Sequence, residues 1–590
     1  MAFENDVEVG ETIPSMTAHA VSVSLPTWRA NVGYEEGEEW VLSKMKTGYP
    51  RFFIHKSIEK FATAIVKKYG EAGARAIIFP SHAAASRCLE FFFHQDPELE
   101  PQQVRILDLV PAAKKARSEE CAIISPKISA ILFPQEKFKI AKTYWQHSGD
   151  GISSRRAEYC HALFDEGVLV DSATIQESAR FCKGPRRYQK KTSIDLSNIS
   201  DRLDSAAEQD PTQFVEERFG RNLDISMTSN AKLAVRRRIA GSLTADVGLT
   251  EALALEKDLE RTRKVAGFSE DDVYLYACGM NAIFMTHQSL MAAKGLLKSV
   301  VFGFPYIDTL KVTQKFGPGC LFYGFGSSEE LDDLERRLKD GERYLALFTE
   351  FPGNPLLRSP DLERIHSLAD KYDFFVVVDE TVGNFLNVHV LPYADVVVSS
   401  LTKVFSGDSN VMGGSAILNP KGRSYNILKR TWENNFEDNH WAEDSIFLER
   451  NSRDFVSRIE RINVNAEAIC DVLRAHPRVK QVNYPKFSDT RPFYDKCRTP
   501  NGGYGGLLSA TFFSKEDSVA FFDNLDTAKG PSLGTNFTLS SPYVILAHYG
   551  ELDWCASYGV EANLVRFSVG LEEPCKLVNI FRHALEAIPR

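Results

Sequence analysis

The sequence lacks a regular cysteine framework, a zinc-like ligand spacing and a long apolar run. Its ten cysteines are scattered without a CxxC pair, which argues against a small disulfide-stapled domain. No cluster of Cys and His has zinc spacing, so no metal is predicted. The N-terminus has neither the basic start nor the apolar core of a signal peptide, and no apolar stretch approaches membrane-spanning length. We therefore predict a cytoplasmic protein without a membrane partner.

An excess of positive charge is missing as well. The formal net charge of -9 argues against a surface that binds nucleic acid generally, and no nucleic-acid partner is predicted. The basic run 183–191 contains Gly and Pro, and we interpret it as an exposed linker. Hydrophobic residues make up 43% and charged residues 25% of the 590 positions, proportions typical of a soluble globular protein with several domains.

Between about residues 260 and 420, short apolar runs alternate with helical patterns. Strands buried on both faces read as continuous apolar runs, and helices between them indicate crossovers in a largely parallel sheet. The predicted fold class is α/β, with ligands expected at the carboxyl ends of the strands. The predicted strands are Val273 to Ala277, Ser299 to Gly303, Tyr344 to Thr349, Phe374 to Val378 and Asp395 to Ser399.

The chain before and after this region has a different character. Residues 57–69 have a helical pattern and residues 76–80 and 128–133 are strand-like, so the N-terminal region is too apolar to be a disordered tail. Further on, apolar residues recur at three- and four-residue intervals over 455–473, which predicts a long helix. We interpret the segment that follows this helix as part of a smaller C-terminal domain.

Lys403 and Asp379 carry the strongest chemical signal. Lys403 closes Ser400-Leu-Thr-Lys403 after a predicted strand, among hydroxyls and glycines, which suits a phosphorylated aldehyde cofactor that an amine can bind as an imine. Asp379 follows five apolar residues, where an ionised carboxylate needs a buried partner. A protonated pyridine nitrogen is one such partner, and a structural ion pair is the alternative. Gly279 opens a helix after a strand, where backbone N–H groups favour phosphate.

Taken in order, these motifs resemble the Cys/Met-metabolism family of fold-type-I enzymes, which use pyridoxal 5′-phosphate (PLP). Within it the chain is most similar to the long fungal cystathionine γ-synthases, from about residue 215 to the end and in the extension motif Ser22-Val-Ser-Leu-Pro-Thr-Trp28. The resemblance implies a mostly parallel central sheet, a smaller α+β C-terminal domain and an N-terminal extension. The motifs are Gly279-Met280, Tyr306-Ile-Asp-Thr309, Glu350-Phe-Pro-Gly-Asn-Pro355, Asp379, Ser400-Leu-Thr-Lys403, Ser532-Leu-Gly534 and Leu564 to Glu573.

The resemblance also implies a role for each site residue. Lys403 would bind PLP as a Schiff base and then move protons between substrate carbons, while Tyr306 would stack on the ring and assist proton transfer. Asp379 would pair with the pyridine nitrogen, and Asn354 would lie near the phenolic oxygen. The residues implied to hold the phosphate are Gly279, Met280, Ser400 and Thr402.

Two further sites follow from the same resemblance. Arg566, with help from Ser532, would bind the α-carboxylate of the amino-acid substrate through its planar guanidinium. The family's Tyr-x-Arg, which reaches the cofactor phosphate from a neighbouring subunit, appears here as Phe219-Gly220-Arg221. Arg221 would keep the charge contact, whereas Phe219 cannot supply a hydroxyl. Tyr49-Pro50-Arg51 has the same pattern, but we expect residues 219–221 to fill the role.

The implied domains are an N-terminal extension of uncertain role (1–195), an arm to the neighbouring subunit's site (196–260), a large PLP-binding domain (261–425) and a small C-terminal domain (426–590). Because the arm would complete a neighbouring site, the resemblance implies a homodimer or homotetramer.

The implied reaction is γ-replacement on an O-acyl-L-homoserine, with L-cysteine as nucleophile and L-cystathionine as product. The cofactor motifs report electron-sink chemistry and not the second substrate, so a specialised relative that uses another sulfur or carbon nucleophile remains open. A γ- or β-lyase is less favoured. A non-catalytic regulatory paralogue is the alternative from another class, motivated by Phe219 and the large N-terminal region. Intact Lys403, Asp379 and Arg566 argue against it.

Overall fold

The computed structural model describes residues 7–112, 124, 126–175, 225–241, 246–254 and 263–589. The basic run 183–191 and the predicted phosphate contact Arg221 lie outside the described residues. Within the described ranges, no helix combines the length and the apolar character needed to cross a bilayer. Three β-sheets follow one another along the chain. The predicted domain boundaries stay predictions.

The first sheet is a four-stranded antiparallel sheet of order β1-β3-β2-β4, and it lies in the N-terminal region. Its strands are β1 Ala74–Phe79, β2 Arg105–Pro111, β3 Ile128–Pro134 and β4 Leu169–Asp171. The helices of this region are α1 Trp28–Glu35, α2 Glu39–Leu42, α3 Lys56–Tyr69, α4 His82–Gln95, α5 Phe138–Ser148 and α6 Ser154–Asp165. The helix predicted over 57–69 and the two predicted strands are thereby confirmed.

The second sheet has seven strands in the order β5-β11-β10-β9-β8-β6-β7. Five neighbouring strands run parallel, and β11 is antiparallel to both of its neighbours. The strands are β5 Val273–Tyr276, β6 Ser299–Phe302, β7 Cys320–Tyr323, β8 Ala346–Glu350, β9 Phe375–Asp379, β10 Val396–Ser400 and β11 Gly414–Leu418. The five predicted strands and the mostly parallel sheet are confirmed, whereas β7 and β11 were not predicted.

Helices cover both faces of this sheet, which explains the continuous apolar runs. In β9, Val376 and Val378 pack into one apolar cluster, while Phe375 and Val377 pack into another on the opposite face. The helices around and before this sheet are α7 Thr228–Ala240, α8 Leu249–Ala254, α9 Gly279–Lys294, α10 Ile307–Lys315, α11 Ser328–Lys339, α12 Leu362–Tyr372, α13 Asn384–Asn387 and α14 Tyr425–Asn435.

The third sheet has five strands in the order β12-β13-β16-β15-β14, and its pairings are antiparallel except for β14 with β15. The strands are β12 Val479–Asn483, β13 Leu507–Phe512, β14 Ala528–Lys529, β15 Leu539–Ser541 and β16 Leu564–Ser568. The helices are α15 Ala442–Asn451, α16 Phe455–Arg474, α17 Arg491–Cys497, α18 Lys515–Asn524, α19 Tyr543–His548, α20 Leu552–Ser557 and α21 Pro574–Glu586. The long helix predicted over 455–473 is α16.

The N-terminal region shares an apolar core with the central sheet. Tyr144 of α5 meets Phe284 of α9 edge-on, with ring centroids 6.0 Å apart, and Phe91 of α4 stacks on Phe316 at 4.9 Å. Gly149 ends α5 at φ +64°, and a Cβ at this position would lie 2.7 Å from the sulfur of Cys278. Glycine is therefore required where the N-terminal region touches the start of α9.

An N-terminal strap, residues 20–27, fixes α1 against the C-terminal sheet. The backbone N–H of Leu25 donates to the carbonyl of Lys529 at 2.9 Å, and the Ser22 hydroxyl donates to the carbonyl of Pro531 at 2.5 Å. Thr27 caps α1 by accepting from the N–H of Ala30 at 3.1 Å. The strap therefore determines where the last residue of α1, Glu35, lies.

Candidate functional site

A cavity of about 610 Å³ lies at the carboxyl ends of the central parallel strands. Ten of the eleven site residues expected from the sequence line it, and the eleventh, Arg221, lies outside the described residues. The ten are Gly279, Met280, Tyr306, Asn354, Asp379, Ser400, Thr402, Lys403, Ser532 and Arg566.

Lys403 is buried at the centre of this cavity, 8% exposed. Its Nζ donates to the hydroxyl of Tyr49 at 3.0 Å and to the hydroxyl of Ser532 at 2.9 Å. Burial lowers the pKa of Lys403, and the positive charges of Arg566 and Arg51 lower it further, against the opposing effect of Tyr49. A lysine with a lowered pKa more readily exists as the free amine, the form that acts as a nucleophile or base.

The loop around Ser532 is shaped to approach this amine closely. Ser532 has φ +97°, a strained value for a residue with a side chain, and such strain concentrates at functional sites. Gly534 has φ +71°, and a Cβ there would lie 2.4 Å from the backbone nitrogen of Val404. Only glycine lets the loop approach the Lys403 turn this closely.

Two half-buried carboxyl groups lie side by side where β8 and β9 end. Glu350 and Asp379 are direct partners in the parallel register of these strands. Burial and the neighbouring Asp379 raise the pKa of Glu350 to about 8, and burial raises the pKa of Asp379. Glu350 accepts from the backbone N–H of Asn354 at 3.0 Å, and Asp379 accepts from that of Thr381 at 2.8 Å. Within the described ranges neither forms an ion pair, so a cationic ligand would find an uncompensated acidic pair.

The start of α9 faces the cavity beside the end of β10. A Cβ on Gly279 would lie 2.6 Å from the Cβ of Ser400, so this helix can begin here only with glycine. The Thr402 hydroxyl donates to the carbonyl of Gly413 at 3.2 Å and accepts from its N–H at 3.1 Å. The backbone N–H groups at a helix start and the nearby hydroxyls are the donors that phosphate requires.

Arg566 lines the same cavity as Lys403 and the start of α9. Its guanidinium donates to the amide oxygen of Asn354 at 3.2 Å and to the carbonyl of Ser532 at 2.6 Å, and it lies 4.5 Å from the ring centroid of Tyr543. Burial lowers its pKa. Among the described residues no carboxylate pairs with Arg566, so its charge is available to an anionic ligand.

Sequence reasoning missed Tyr49 and Arg51 as site residues. Tyr49 contacts Lys403 through its hydroxyl, and its ring centroid lies 4.5 Å from the lysine nitrogen. Burial would raise the pKa of Tyr49, but the positive charges of Lys403 and Arg51 outweigh burial and lower it. The signal was present in the sequence as the Tyr-x-Arg pattern at residues 49–51. We expected Phe219-Gly220-Arg221 to fill that role instead.

Arg51 joins the N-terminal region to Tyr306. One of its nitrogens donates to the Tyr306 hydroxyl, and the other donates to Asp308 at 2.6 Å and to the carbonyl of Gln146 at 3.1 Å. Burial would raise the pKa of Asp308, but Arg51 and then His147 lower it to about 2. Burial raises the pKa of Tyr306, so this phenol stays protonated and can donate. The N-terminal region thus supplies two charged or polar groups to the cavity.

Comparison with known proteins assigns the chain to a family. Residues 254–586 match the model of the Cys/Met metabolism PLP-dependent enzymes, and residues 57–153 match that of the N-terminal domain of fungal trans-sulfuration enzymes. The chain belongs to the Cys/Met metabolism family of PLP-dependent enzymes. The predicted family and the predicted cofactor, PLP, are therefore confirmed.

Two fungal relatives resemble the chain over nearly its whole length. A cystathionine gamma-synthase of Neurospora crassa is 52% identical over an alignment of 608 positions, gaps included, that covers 98% of this chain and 98% of that protein. The cystathionine gamma-synthase-like enzyme iboG2 of Amanita muscaria is 41% identical and covers 99% and 97%. A solved structure of cystathionine gamma synthase from Xanthomonas oryzae pv. oryzae, in complex with aminoacrylate and cysteine, is 21% identical with a TM-score of 0.48, covering 61% of this chain and 98% of that one.

The cavity fits PLP in three separate ways. The Lys403 amine is buried with a lowered pKa. Asp379 is a half-buried carboxyl with a raised pKa and without a cationic side-chain partner in the described ranges, as a pyridinium nitrogen would require. The start of α9 has no side-chain cap, and Gly279 places it directly against Ser400. One cavity therefore contains an amine, a carboxyl group and backbone donors that could bind phosphate, and its volume suits a cofactor of this size.

Proposed function

We propose that this chain catalyses γ-replacement on an O-acyl-L-homoserine, with L-cysteine as the nucleophile and L-cystathionine as the product. The main support for the proposal is that one cavity is lined by Lys403, Asp379 and Arg566. An amine that can move protons, a partner for a pyridinium and a receptor for an α-carboxylate are the groups this reaction needs. The choice of cysteine is supported by the full-length similarity to the Neurospora crassa protein.

The residues would hold the cofactor as follows. Lys403 would bind it covalently, Asp379 would pair with its ring nitrogen, Tyr306 would contact its ring and Asn354 its phenolic oxygen. PLP, when bound, supplies an electron sink for the electrons of bonds broken at the substrate carbons. The groups proposed to hold the phosphate are the start of α9 at Gly279 and Met280, with Ser400 and Thr402.

Arg566 would orient the amino-acid substrate. Its guanidinium would bind the α-carboxylate of the acyl-homoserine in a bidentate manner, close to Lys403. Ser532 supports this arrangement because its carbonyl accepts from Arg566 while its hydroxyl accepts from Lys403. Arg566 and Lys403 are thereby linked through one loop residue, so carboxylate binding and amine position are coupled.

Lys403 would act as the proton carrier. As a free amine it accepts the Cα proton, and its ammonium form returns a proton when the product is completed. In the replacement, the Cγ–O bond breaks and the acyl group leaves as a carboxylate with the bonding pair. The cysteine sulfur forms the new bond to Cγ and gives up its thiol proton. The Tyr49 hydroxyl, 3.0 Å from Lys403 Nζ, would hold the amine over the reacting carbons.

Assembly and location complete the proposal. We propose a homodimer or homotetramer, in which Arg221 would reach the phosphate of a neighbouring site. We also propose a cytoplasmic location, supported by the cysteines of the described ranges, none of which forms a disulfide.

Product analysis tests the proposal. Purified, PLP-loaded protein is given O-acetyl- or O-succinyl-homoserine with cysteine, and then with sulfide, and products are identified by mass spectrometry for the wild type and Lys403→Ala. Cystathionine that depends on Lys403 supports the proposed activity. Formation of 2-oxobutanoate alone, or turnover only with a nucleophile other than cysteine, contradicts it while leaving PLP dependence intact.

A further inference from the structure

The outer part of the cavity is built by the N-terminal region and not by the motifs of the PLP-binding domain. Residues of α1, of the segment after α2 and of α5 line it, together with α19 from the C-terminal domain. The lining residues that matter here are Tyr34, Glu35, Phe52, Lys142 and Leu546. Because this part belongs to the same cavity as Lys403, a nucleophile that reacts at Cγ of the first substrate enters the space that these residues line.

Glu35 presents to this space a carboxyl group that is negatively charged above a pH of about 7. It is the last residue of α1, whose position the strap and the Thr27 cap determine. Among the described residues no hydrogen bond or ion pair reaches its side chain. Burial raises the pKa of Glu35 to about 7. A half-buried carboxyl without a partner is costly unless a ligand supplies one.

Lys142 presents a positive charge to the same space. It lies on α5 one turn before Gln146, whose carbonyl accepts from Arg51. In the described ranges no carboxylate lies within 4.0 Å of its Nζ, Glu35 included. The outer cavity therefore holds two opposite charges that do not neutralise each other.

We propose that Glu35 and Lys142 form the binding site for the second substrate, a zwitterionic amino acid, with Glu35 contacting its α-ammonium and Lys142 its α-carboxylate. The inference rests on the proposed function. A free amino acid carries both charges on one carbon, and two separated, opposite protein charges complement that pattern. Arg566 cannot serve this nucleophile because it is committed to the carboxylate of the first substrate beside Lys403.

Four nucleophiles that differ only in these charges separate the two contacts. L-Cysteine carries both groups, cysteamine only the ammonium, 3-mercaptopropionate only the carboxylate, and sulfide neither. Each kcat/KM is divided by the value of the same variant with sulfide. For Glu35→Gln, this ratio is expected to fall about tenfold with cysteine and with cysteamine, which is the loss typical of one hydrogen bond to a charged group. With 3-mercaptopropionate the ratio is expected to stay unchanged. For Lys142→Gln, the fall is expected with cysteine and 3-mercaptopropionate but not with cysteamine. A thiol that reacts slowly is measured as an inhibitor competing with cysteine.

Matched controls carry the same charge change outside the cavity. Glu39→Gln lies on the neighbouring short helix and Lys139→Gln on the exposed side of α5, and both are expected to leave the selectivity among nucleophiles unchanged.

The inference is overturned if Glu35→Gln and Lys142→Gln affect all four nucleophiles equally or not at all, or if they change the KM of the acyl-homoserine instead. If the wild type makes cystathionine while selectivity is unaffected, only this inference fails. If the wild type forms no replacement product with any nucleophile, the proposed function itself fails.

Discussion

Replacing Tyr49 by Phe removes one hydroxyl from the cavity and leaves the ring in place. The hydroxyl accepts a hydrogen bond from Lys403 Nζ at 3.0 Å, whereas the ring, with its centroid 4.5 Å from the same nitrogen, keeps its cation–π contact. A hydrogen bond to a charged group contributes roughly 1.5–3 kcal/mol. Since each 1.36 kcal/mol of barrier is a factor of about ten in rate, kcat is expected to fall about 10- to 100-fold.

The same variant should also move the pH profile. Tyr49 raises the pKa of Lys403, against the stronger lowering by burial. Without the hydroxyl the lysine pKa falls further, so the free amine persists to lower pH. The acid limb of the kcat profile is therefore expected to move to lower pH. The assay is steady-state formation of cystathionine across a pH series, with the fold checked by circular dichroism.

Two other variants show whether the effect belongs to this contact. Tyr549→Phe removes a phenolic hydroxyl that donates to Glu36 outside the cavity, and it is expected to change kcat less than twofold by loss of one exposed hydrogen bond. Phe219→Tyr restores the hydroxyl that the family pattern has and this chain lacks. The reasoning is refuted if Tyr49→Phe retains wild-type kcat and pH profile while Phe219→Tyr raises kcat, because the hydroxyl at position 219 would then be the one that matters.

Three further predictions concern Glu35 and Asp379 in the cavity and the packing of Gly149 against the start of α9. In initial-rate measurements, the KM for cysteine is expected to fall as pH rises through about 7, because Glu35 then gains its negative charge. In Glu35→Gln, the KM for cysteine should no longer change over this pH range. Gly149→Ala is expected to cost roughly 1–3 kcal/mol more in the free energy of unfolding than Gly37→Ala, measured by urea denaturation. Both glycines have positive φ, but only a Cβ at Gly149 meets other atoms, so equal costs would contradict the packing argument. Asp379→Asn should weaken PLP binding in equilibrium dialysis about tenfold or more, since a neutral amide replaces the ionic partner of the ring; unchanged affinity would contradict that pairing.

The sequence predicted the central sheet well because strands buried on both faces leave an unbroken apolar run. Val376, Val377 and Val378 are all buried, and the run they form led directly to β9. The strand β7 was missed because Cys320 to Tyr323 is short and only partly buried at the sheet edge. The strand β11 follows a glycine-rich loop that was read as part of the cofactor site.

Site residues could be predicted from the sequence where a short local motif contains the residue and indicates its role. Lys403, Asp379 and Gly279 each stand at a strand end or a helix start, and the cavity lies where the parallel strands of the sheet end. Tyr49 and Arg51 were not predictable in this way because their contacts with Lys403 and Tyr306 span 354 and 255 positions of sequence. Such contacts depend on how the N-terminal region packs on α9. That packing follows from Gly149 and the aromatic core, which no short pattern encodes.

The strap that carries α1 to the mouth of the cavity has a consequence for how this protein could change. Apart from Tyr49 and Arg51, the groups of the reaction centre lie from residue 279 onward, whereas Glu35 and Lys142 at the mouth lie before residue 147. Exchanging residues 20–48 and α5 between relatives, with Tyr49 and Arg51 kept, should therefore transfer the preference for one nucleophile to another scaffold while leaving the chemical step unaltered. Such enzymes would then diversify by changes in the segments that line the mouth of the cavity, while the residues of the reaction centre stay the same.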